Sequence, residues 1–347
     1  MNKYSDHAEG LEKDWGIVML GQDYLPPEFR NDYTMALDAQ PGLITAPNTG
    51  IPSLFTSYVD PETIRVRQAP NVGAKILGEM KMGTWEDQTA FFPVVENTGQ
   101  VQSYGDTNDD GKSDANAEFE QRQSYLYQTI IEYGDLEVAR AGKARLNWIA
   151  EKQTSAAKTL TKFEDYIYHF GVAGLQNYGL LNDPTLFAVL TPGTKAAGGV
   201  KWVVNNAINA TANEVYADIQ ALYQELATNS GGLIAEDTKF RFVYPNTVAI
   251  GMTATNSFGI TVKDLVKESF PNMEFIVAPR YALATGNEVQ LIALDFDGSR
   301  TGMCAFNEKM RQHRLVPKTS SFSQKTTSGA WGTVWKYPVA VAGMLGV

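Results

Sequence analysis

The sequence contains a single cysteine, Cys304, among its 347 residues. An intrachain disulfide is therefore impossible, and the chain does not depend on an oxidising compartment. The amino-terminal stretch MNKYSDHAEGLEKDWG carries charges of both signs and lacks the apolar centre of a signal peptide. No stretch approaches the roughly 20 consecutive apolar residues that a membrane-spanning helix needs. These absences predict a soluble chain that is made in the cytosol and has no membrane partner.

Positive charge is also scarce. The chain has 29 Lys and Arg against 39 Asp and Glu, a formal net charge of −10, and it has no continuous run of basic residues. Proteins that grip nucleic acid neutralise its phosphates, so this balance predicts a chain that repels nucleic acid rather than binds it. The hydrophobic content of 44% is ordinary for a globular protein. The length suggests two domains, or one domain with long excursions.

Residues typical of catalytic and metal sites are few and dispersed. The three histidines are far apart and have no metal-ligand partner at close spacing: His7, His169 and His313. Cys304 lies in the apolar stretch TGMCAF, which favours a buried, inert thiol over a nucleophile paired with His169. Asp295 and Asp297 place two carboxylates on one side of a predicted strand. The adjacent Gly-Ser turn favours solvated aspartates over a cation site.

No phosphate-binding or nucleophile motif is present. The sequence lacks G-x-x-x-x-G-K-[ST], G-x-S-x-G and a G-x-G-x-x-G after a strand. The glycine-rich stretch GTKAAGGVKW neither follows a clear strand nor opens a helix, so it predicts a surface loop. The sequence therefore predicts that the chain is not an enzyme, and it assigns no catalytic, cofactor-binding or metal-binding residue.

Hydrophobic periodicity divides the first half of the chain into segments. Residues 1–60 are rich in Pro and Gly, which predicts an arm without long elements. Residues 62–133 predict strands, among them TIRVRQ, QTAFFPVV and QSYLYQTIIEY, with an acidic loop at the end of a long hairpin. Across 135–170 apolar residues recur at spacings of three, four and seven. This pattern predicts one helix about 50 Å long. Asp135 is placed to cap this helix, and Gly142 weakens it without ending it.

The second half alternates helices and strands. Thr211-x-x-Glu214 is a capping box that opens a helix, and Thr261-x-x-Asp264 resembles a second cap. The stretches KFRFVY, MEFIVA and VQLIALDF predict strands, which makes 185–300 an α/β region. After residue 301 the sequence returns to β character.

The acidic loop, YGDTNDDGKSDANAEFE at 104–120, has part of the spacing of an EF-hand calcium loop. Positions 1, 3, 5, 6 and 9 of that pattern are Asp106, Asn108, Asp110, Gly111 and Asp114. Position 12, which supplies a bidentate Glu in such loops, is Ala117, and the flanking segments predict strands rather than helices. Exposed hairpin tips use the same residue types, so the tip is the preferred interpretation and a calcium site the alternative.

Several blocks carry a family resemblance through their order along the chain: FFPVVENTGQVQSYGD, QRQSYLYQTIIEYGDLEVARAG, FGVAGLQNYGLLNDP, ATANEVYADIQALYQEL, TATNSFG, CAFNEKMRQH and SFSQKTTSGAWGTVWKYPVAVAGM. From about residue 44 to 347 the chain resembles the major capsid proteins of tailed bacteriophages, which have the Hong Kong 97-like fold. The resemblance implies an α+β chain with an amino-terminal arm, an extended β loop, a peripheral domain with a long spine helix and an α/β axial domain.

The resemblance also implies boundaries and partners. It places the arm at 1–60, the extended loop and adjoining strands at 61–133, the peripheral domain with its spine helix at 134–189, the axial domain at 190–300, and a return to the peripheral sheet at 301–347. It implies hexamers and pentamers of one chain in an icosahedral shell, which encloses double-stranded DNA without sequence-specific binding. Portal, scaffolding and decoration proteins would be further partners. The chain would lie in the virion, and in the host cytoplasm during assembly.

Two alternatives remain at this point. An encapsulin-like bacterial shell uses the same fold around a cargo enzyme, and a calcium-dependent binding module would use the loop at 106–117. Some relatives of the resembled family join subunits through Lys–Asn bonds. Lys75, Lys81 and Lys112 lie in or near the loop region, and none of them is assigned to such a bond.

Overall fold

The structure is a computed structural model, and it describes residues 70–104, 106, 111–143 and 146–347. The predicted arm at 1–60 and the predicted strand TIRVRQ lie outside these residues. Within the described ranges, no helix is both long enough and apolar enough to cross a bilayer.

The described residues form strands of two to fifteen residues and five α-helices. The strands are β1 (Glu79–Lys81), β2 (Thr89–Gln100), β3 (Lys112–Gln123), β4 (Tyr125–Gly134), β5 (Val203–Val204), β6 (Ala207–Ile208), β7 (Phe240–Tyr244), β8 (Met273–Val277), β9 (Ala282–Leu283), β10 (Gly286–Ala293), β11 (Asp295–Phe296), β12 (Ser299–Arg300), β13 (Gly302–Gln312), β14 (Val316–Pro317), β15 (Ser321–Trp335) and β16 (Val341–Leu345). The helices are α1 (Gly73–Leu77), α2 (Asp135–Lys143), α3 (Trp148–Phe170), α4 (Ala212–Asn229) and α5 (Val262–Ser269).

A first sheet has the strand order β1–β13–β15–β14, and β4 also pairs with β15. β13 and β15 are antiparallel, whereas β1 is parallel to β13. β4 is antiparallel to β15, with Tyr125 opposite Ala330 at one end and Gly134 opposite Ser321 at the other. The strand predicted for QSYLYQTIIEY is confirmed as β4, and the β character predicted after residue 301 is confirmed by β13 and β15.

A second sheet has the order β16–β10–β7–β8, with β9 beside β10. The strands predicted for KFRFVY, MEFIVA and VQLIALDF are confirmed as β7, β8 and β10. The expected return of 301–347 to the first sheet ends with β15. Residues 341–345 differ from that expectation, because β16 pairs antiparallel with β10.

The single helix predicted across 135–170 is wrong, since α2 ends at Lys143 and α3 begins at Trp148. Gly142 lowers the helix propensity of the last turn of α2. The side chain of Asn147 then accepts a hydrogen bond from the backbone N–H of Ala150 (3.4 Å) and starts a new helix. The longer helix, α3, has 23 residues and spans about 35 Å rather than 50 Å.

The helix starts show which cap predictions are right. Thr211 and Glu214 form the predicted capping box of α4, and the Thr261 side chain accepts from the N–H of Asp264 at the start of α5. Asp135, by contrast, is the first residue of α2 itself rather than the residue before it. Local sequence therefore predicted two of three helix starts correctly.

Two hydrophobic clusters lie on the two faces of the second sheet. In β10, Val289 and Leu291 join the cluster that includes α4 and α5, whereas Ile292 joins the cluster that includes α1, α3 and the first sheet. Because successive residues of a strand point to opposite faces, this alternation shows that both faces of the second sheet are covered. The second sheet is thus the middle layer of the described residues.

Two buried carboxylates connect distant segments of the chain through hydrogen bonds and ion pairs. Asp218 of α4 accepts from the N–H of Gly193 (3.0 Å) and the indole N–H of Trp202 (2.6 Å), and it forms an ion pair with Lys195. Because Lys195 and Trp202 are buried, the stretch predicted to be a surface loop is anchored in the core.

The second of these carboxylates, Asp165 of α3, accepts from the N–H groups of Val72 (2.9 Å) and Gly73 (2.8 Å) and pairs with Arg280 (2.5 Å). Its three partners come from the start of α1 and from the turn after β8. One side chain therefore connects α3 to two distant parts of the chain.

Candidate functional site

β2 and β3 form a two-stranded antiparallel ribbon. Every residue from Thr89 to Gln100 is paired in register with one between Gln123 and Lys112, and within the described residues no third strand joins them. Twelve residues at about 3.4 Å each give a length of about 40 Å. An isolated two-stranded ribbon is only marginally stable in water, so this ribbon needs another surface to cover it.

One face of the ribbon is apolar. Opposite residues of an antiparallel pair share a face, so Phe91, Pro93 and Val95 lie on the same face as Phe119 and Ala117. The side chains of Phe91, Val95 and Phe119 are 62%, 61% and 64% exposed. Contiguous exposed apolar side chains of this kind mark contact sites.

The other face of the ribbon changes along its length. Near the base, Ala90 and Phe92 pack against the buried cluster of the first sheet that contains Met303 and Trp331. Toward the turn this face carries carboxylates, at positions that alternate along β3: Glu120, Glu118 and Asp114. The ribbon is therefore held on the body at its base and is exposed beyond it.

Arg122 fixes the base of the ribbon. Its guanidinium group lies 2.7 Å from the carboxylate of Glu120 and 2.9 Å from that of Asp183, and 4.9 Å from the ring centroid of Tyr178. The Arg122 side chain is only 3% exposed. Since Tyr178 and Asp183 belong to the loop that follows α3, the ribbon is attached to that loop.

This loop packs so closely that it excludes side chains at two glycines. A Cβ atom at Gly179 would lie 2.2 Å from the backbone carbonyl carbon of His169. At Gly332, which also has a φ of +81°, a Cβ atom would lie 2.2 Å from the carbonyl oxygen of Tyr178. The support beneath the ribbon is therefore tightly packed.

The calcium-like residues are only partly described. Asp106, Gly111 and Asp114 lie within the described residues, and Asn108 and Asp110 lie outside them. Asp106 accepts a hydrogen bond from the hydroxyl of Tyr104 (2.7 Å). Asp114 is part of an extended strand, whereas a calcium loop must curl around its ion. In 70–104, 106, 111–143 and 146–347, no three His, Cys, Asp or Glu residues are grouped to hold a metal ion.

Cys304 is buried, as predicted. Its thiol contacts the carbonyl oxygen of Gly73 (3.5 Å) and the hydroxyl of Thr333 (3.8 Å), and burial raises the thiol pKa to about 12. The reactive form of cysteine is the thiolate, so this group is inert at neutral pH. His169 is also buried, which lowers its pKa, and its Nδ1 atom contacts the carbonyl oxygen of Asp165 (2.7 Å). The contacts of Cys304 and His169 are thus with backbone carbonyl and hydroxyl oxygens.

The remaining candidates are dispersed. Asp295 begins β11, and Asp297 lies in the turn to β12 with a φ of 46°, so the two carboxylates do not share one side of a strand as expected. The three lysines near the loop region lie in different elements, α1, β1 and β3: Lys75, Lys81 and Lys112.

Glu288 of β10 is a buried carboxyl group, and it gives a testable pH dependence. It is 5% exposed, and burial raises its pKa from 4.5 to about 7. As the pH rises from 4.5 to 7, the unfolded chain ionises this group while the folded chain keeps it protonated. The folded protein therefore loses stability through this window.

The change Glu288→Gln removes this titration. We expect the stability of the variant relative to wild type to increase by about 3 kcal/mol between pH 4 and pH 8, as 2.5 pKa units imply. Urea denaturation of both unassembled chains across this range measures the difference. A difference that stays constant with pH would contradict the prediction.

The fold is similar to that of solved phage capsids. The capsid of Myoviridae phage XM1 matches with a TM-score of 0.71 at 15% identity, over 86% of this chain and 100% of that chain. Gordonia phage Cozz matches with a TM-score of 0.56 at 11% identity, over 89% and 99%. The capsid of a native GTA particle matches with a TM-score of 0.55 at 12% identity, over 90% and 98%. The chain therefore has the Hong Kong 97-like capsid fold, which confirms the predicted α+β class.

Sequence then identifies the family within this class. The family model for the Pa193 gp26 major capsid protein matches residues 42–346, and the chain belongs to this family. No curated protein matches the sequence. The chain is thus a structural subunit of a bacteriophage capsid shell and a component of the virion, and it associates with copies of itself. These findings favour neither the encapsulin-like shell nor the calcium-dependent binding module.

Proposed function

We propose that the chain assembles as hexamers and pentamers into an icosahedral shell around phage double-stranded DNA, with the β2–β3 ribbon as a principal contact between subunits. The observation that carries this proposal is the apolar face of the ribbon, which is exposed in the single chain. A ribbon of this kind needs a cover. In a shell of identical subunits, each neighbour presents the same surface, so a second copy supplies that cover.

The proposal assigns a role to each segment. Residues 61–133 contain the extended loop, and the ribbon is its described part. Residues 134–189, with α2 and α3, form the peripheral domain together with the first sheet, and residues 190–300 form the axial domain. Residues 1–60 are the arm.

The proposal also includes further partners and a place of assembly. Portal, scaffolding and decoration proteins bind the shell, and assembly takes place in the host cytoplasm. The role of the chain is structural, without an enzymatic activity.

Sedimentation and negative-stain microscopy of the recombinant chain test the assembly. The chain is produced alone and together with the neighbouring phage genes, which supply a scaffolding protein if one is needed. Closed shells or rings of five and six subunits would support the proposal. A monomer under both conditions would overturn it.

A single charge on the apolar face tests the role of the ribbon. We expect Phe119→Asp to abolish shells while leaving the fold intact, because an aspartate would be buried without a partner in the contact. The matched control is Asn116→Asp, which adds the same charge to the same strand on the acidic face and should assemble normally. Particle yield by sedimentation and circular dichroism of the unassembled chains give the two readouts. Normal assembly of Phe119→Asp would exclude the apolar face from the contact.

A further inference from the structure

β4 lies at one edge of the first sheet. Within the described residues it pairs with β15 on one side and with no strand on the other. Asp135, the residue after β4, donates its backbone N–H to the carbonyl oxygen of Ser320 (3.1 Å) and so continues the β4–β15 ladder. Because successive residues of a strand turn their backbone groups to opposite sides, the odd-numbered residues of β4 bond to β15. The even-numbered residues therefore turn their N–H and C=O groups to the free side.

The helices after β4 cover one end of this free side. Glu137 of α2 accepts a hydrogen bond from the N–H of Gly134 (3.4 Å), and Lys152 of α3 donates one to the carbonyl oxygen of Glu132 (2.7 Å). Three further residues have neither backbone group hydrogen-bonded within the part of the chain that the structure describes: Leu126, Gln128 and Ile130. We call this stretch, 126–130, the free edge. A row of unpaired backbone groups is a template for another strand.

The side chains of the free edge are suited to a contact. Tyr127 lies 4.9 Å from Phe163 of α3, measured between ring centroids, so the odd-numbered side chains face α3. Leu126 and Ile130 point to the opposite face and are 41% and 55% exposed. Residues 125–131 contain no charged residue and no proline, which are common means of keeping an edge strand unpaired. The free edge is therefore apolar and unprotected.

The free edge is complementary to itself. In an antiparallel pair centred on Gln128, this residue lies opposite Gln128 of a second copy, and Leu126 lies opposite Ile130. Three opposed pairs result, and each pair exchanges two hydrogen bonds. Apolar side chains then meet on one face of the joined sheets, which stabilises the pairing. A second copy of the chain therefore satisfies both the backbone groups and the side chains of the free edge.

The register of this pair follows from which backbone groups are free. Moving its centre by two residues toward α2 would place Gln128 opposite Glu132, whose carbonyl oxygen already accepts a hydrogen bond. Moving the centre by two residues the other way would place Gln128 opposite Ser124. The N–H of Ser124 already donates to the carbonyl oxygen of Gln88 (3.0 Å). The pairing between copies is therefore symmetric about Gln128.

We infer that β4 of one subunit pairs with β4 of a second copy across a two-fold axis, and that this contact connects neighbouring rings of subunits. The inference rests on the proposed assembly into hexamers and pentamers. A contact in which one surface meets the same surface of another copy closes on a pair. Neighbouring subunits within a ring of five or six meet through two different surfaces. The β4 contact therefore lies between rings and not within one.

A single cysteine at the centre of the free edge tests the pairing in assembled shells. Opposite residues of a hydrogen-bonded pair have Cα atoms about 5.5 Å apart, which lies within the range of about 4.4–6.8 Å that a disulfide requires. Oxidised shells of Gln128→Cys should therefore convert most of the 38.1 kDa monomer into a dimer on non-reducing gels. Higher multiples should be absent, because the native Cys304 is buried. The control Gln220→Cys makes the same change at an exposed position of α4 and should remain monomeric.

Proline at the same position tests what the contact does. The N–H of Gln128 bonds to no described residue, so Gln128→Pro removes no hydrogen bond of the first sheet and blocks a partner strand. We expect rings of five and six subunits to persist, while the yield of closed shells falls about tenfold because the strand pairing between rings is blocked. Sedimentation separates rings from shells, and circular dichroism of the unassembled chain checks the fold. The control Gln128→Ala keeps the N–H and should form shells normally.

The possible failures are distinct. Oxidised Gln128→Cys shells without a dimer, or a normal shell yield from Gln128→Pro, would overturn the β4 pairing and leave the assembly proposal standing. Loss of shells in Gln128→Pro without a dimer in Gln128→Cys would assign the free edge to a different strand and also overturn the inference. If Gln128→Pro does not fold, the cysteine result decides alone. Unmodified chain that forms neither rings nor shells would overturn the assembly proposal itself.

Discussion

Replacing Asp218 by leucine should destabilise the unassembled protein by about 3–5 kcal/mol, the usual effect of removing one partner of a buried ion pair. The Lys195 side chain is only 1% exposed, so its ammonium group would be left in the core without a counter-charge. The indole N–H of Trp202 would lose its acceptor as well. Urea denaturation followed by tryptophan fluorescence measures the change.

The double change Lys195→Met/Asp218→Leu is the control for this prediction. Replacing both charges by apolar side chains removes the uncompensated ammonium, so the double variant should recover a large part of the lost stability. Its recovery should remain incomplete because the N–H groups of Gly193 and Trp202 still lack an acceptor. A double variant no more stable than Asp218→Leu would show that the ion pair is not the reason for the loss.

Replacing Arg122 by leucine should also cost about 3–5 kcal/mol, and it should free the ribbon from its base. The change leaves the carboxylate of Asp183, whose side chain is 0% exposed, without its cation, and it removes the group that lies over Tyr178. We expect rapid proteolysis within β2 and β3 and a loss of shells. Limited proteolysis with mass spectrometry locates the cleavage, and urea denaturation gives the stability.

Arg122→Lys separates the charge of this residue from its shape. Lysine keeps the positive charge but loses the planar group that contacts Glu120 and Asp183 and lies over Tyr178. Its loss of stability should therefore be smaller than that of the leucine variant. Equal losses for both variants would show that planar geometry dominates, and intact, protease-resistant ribbons in Arg122→Leu would refute the anchoring role.

Local sequence signals predicted the elements that local interactions determine. Thr211 and Thr261 start helices because each side chain bonds to a backbone N–H three residues later. β2, β7 and β10 follow from runs of β-branched and aromatic residues. The order of the sequence blocks, rather than any single motif, predicted the capsid fold.

The features that the sequence did not predict have either a weak local pattern or contacts between residues far apart in the sequence. β3 escaped prediction because Phe119 is the only large apolar residue in KSDANAEFEQRQ, so the strand is specified by pairing with β2 rather than by its own pattern. The helix break at Asn147 competes with an apolar periodicity that continues across it. The contacts of Asp165 reach backbone groups 92 and 93 positions earlier, and no local pattern encodes such a separation.

The ribbon is packed at its base and uncovered beyond it, and a shell can use this difference. The base is held by Arg122 and by a loop that leaves no room for a Cβ atom at Gly179, whereas two-stranded ribbons reach larger twists than wider sheets. Curvature differs between the flat and the pointed parts of a closed polyhedron. Twisting of the ribbon would accommodate this difference in curvature. Copies of one amino-acid sequence could then form both the flat and the pointed parts without repacking their core.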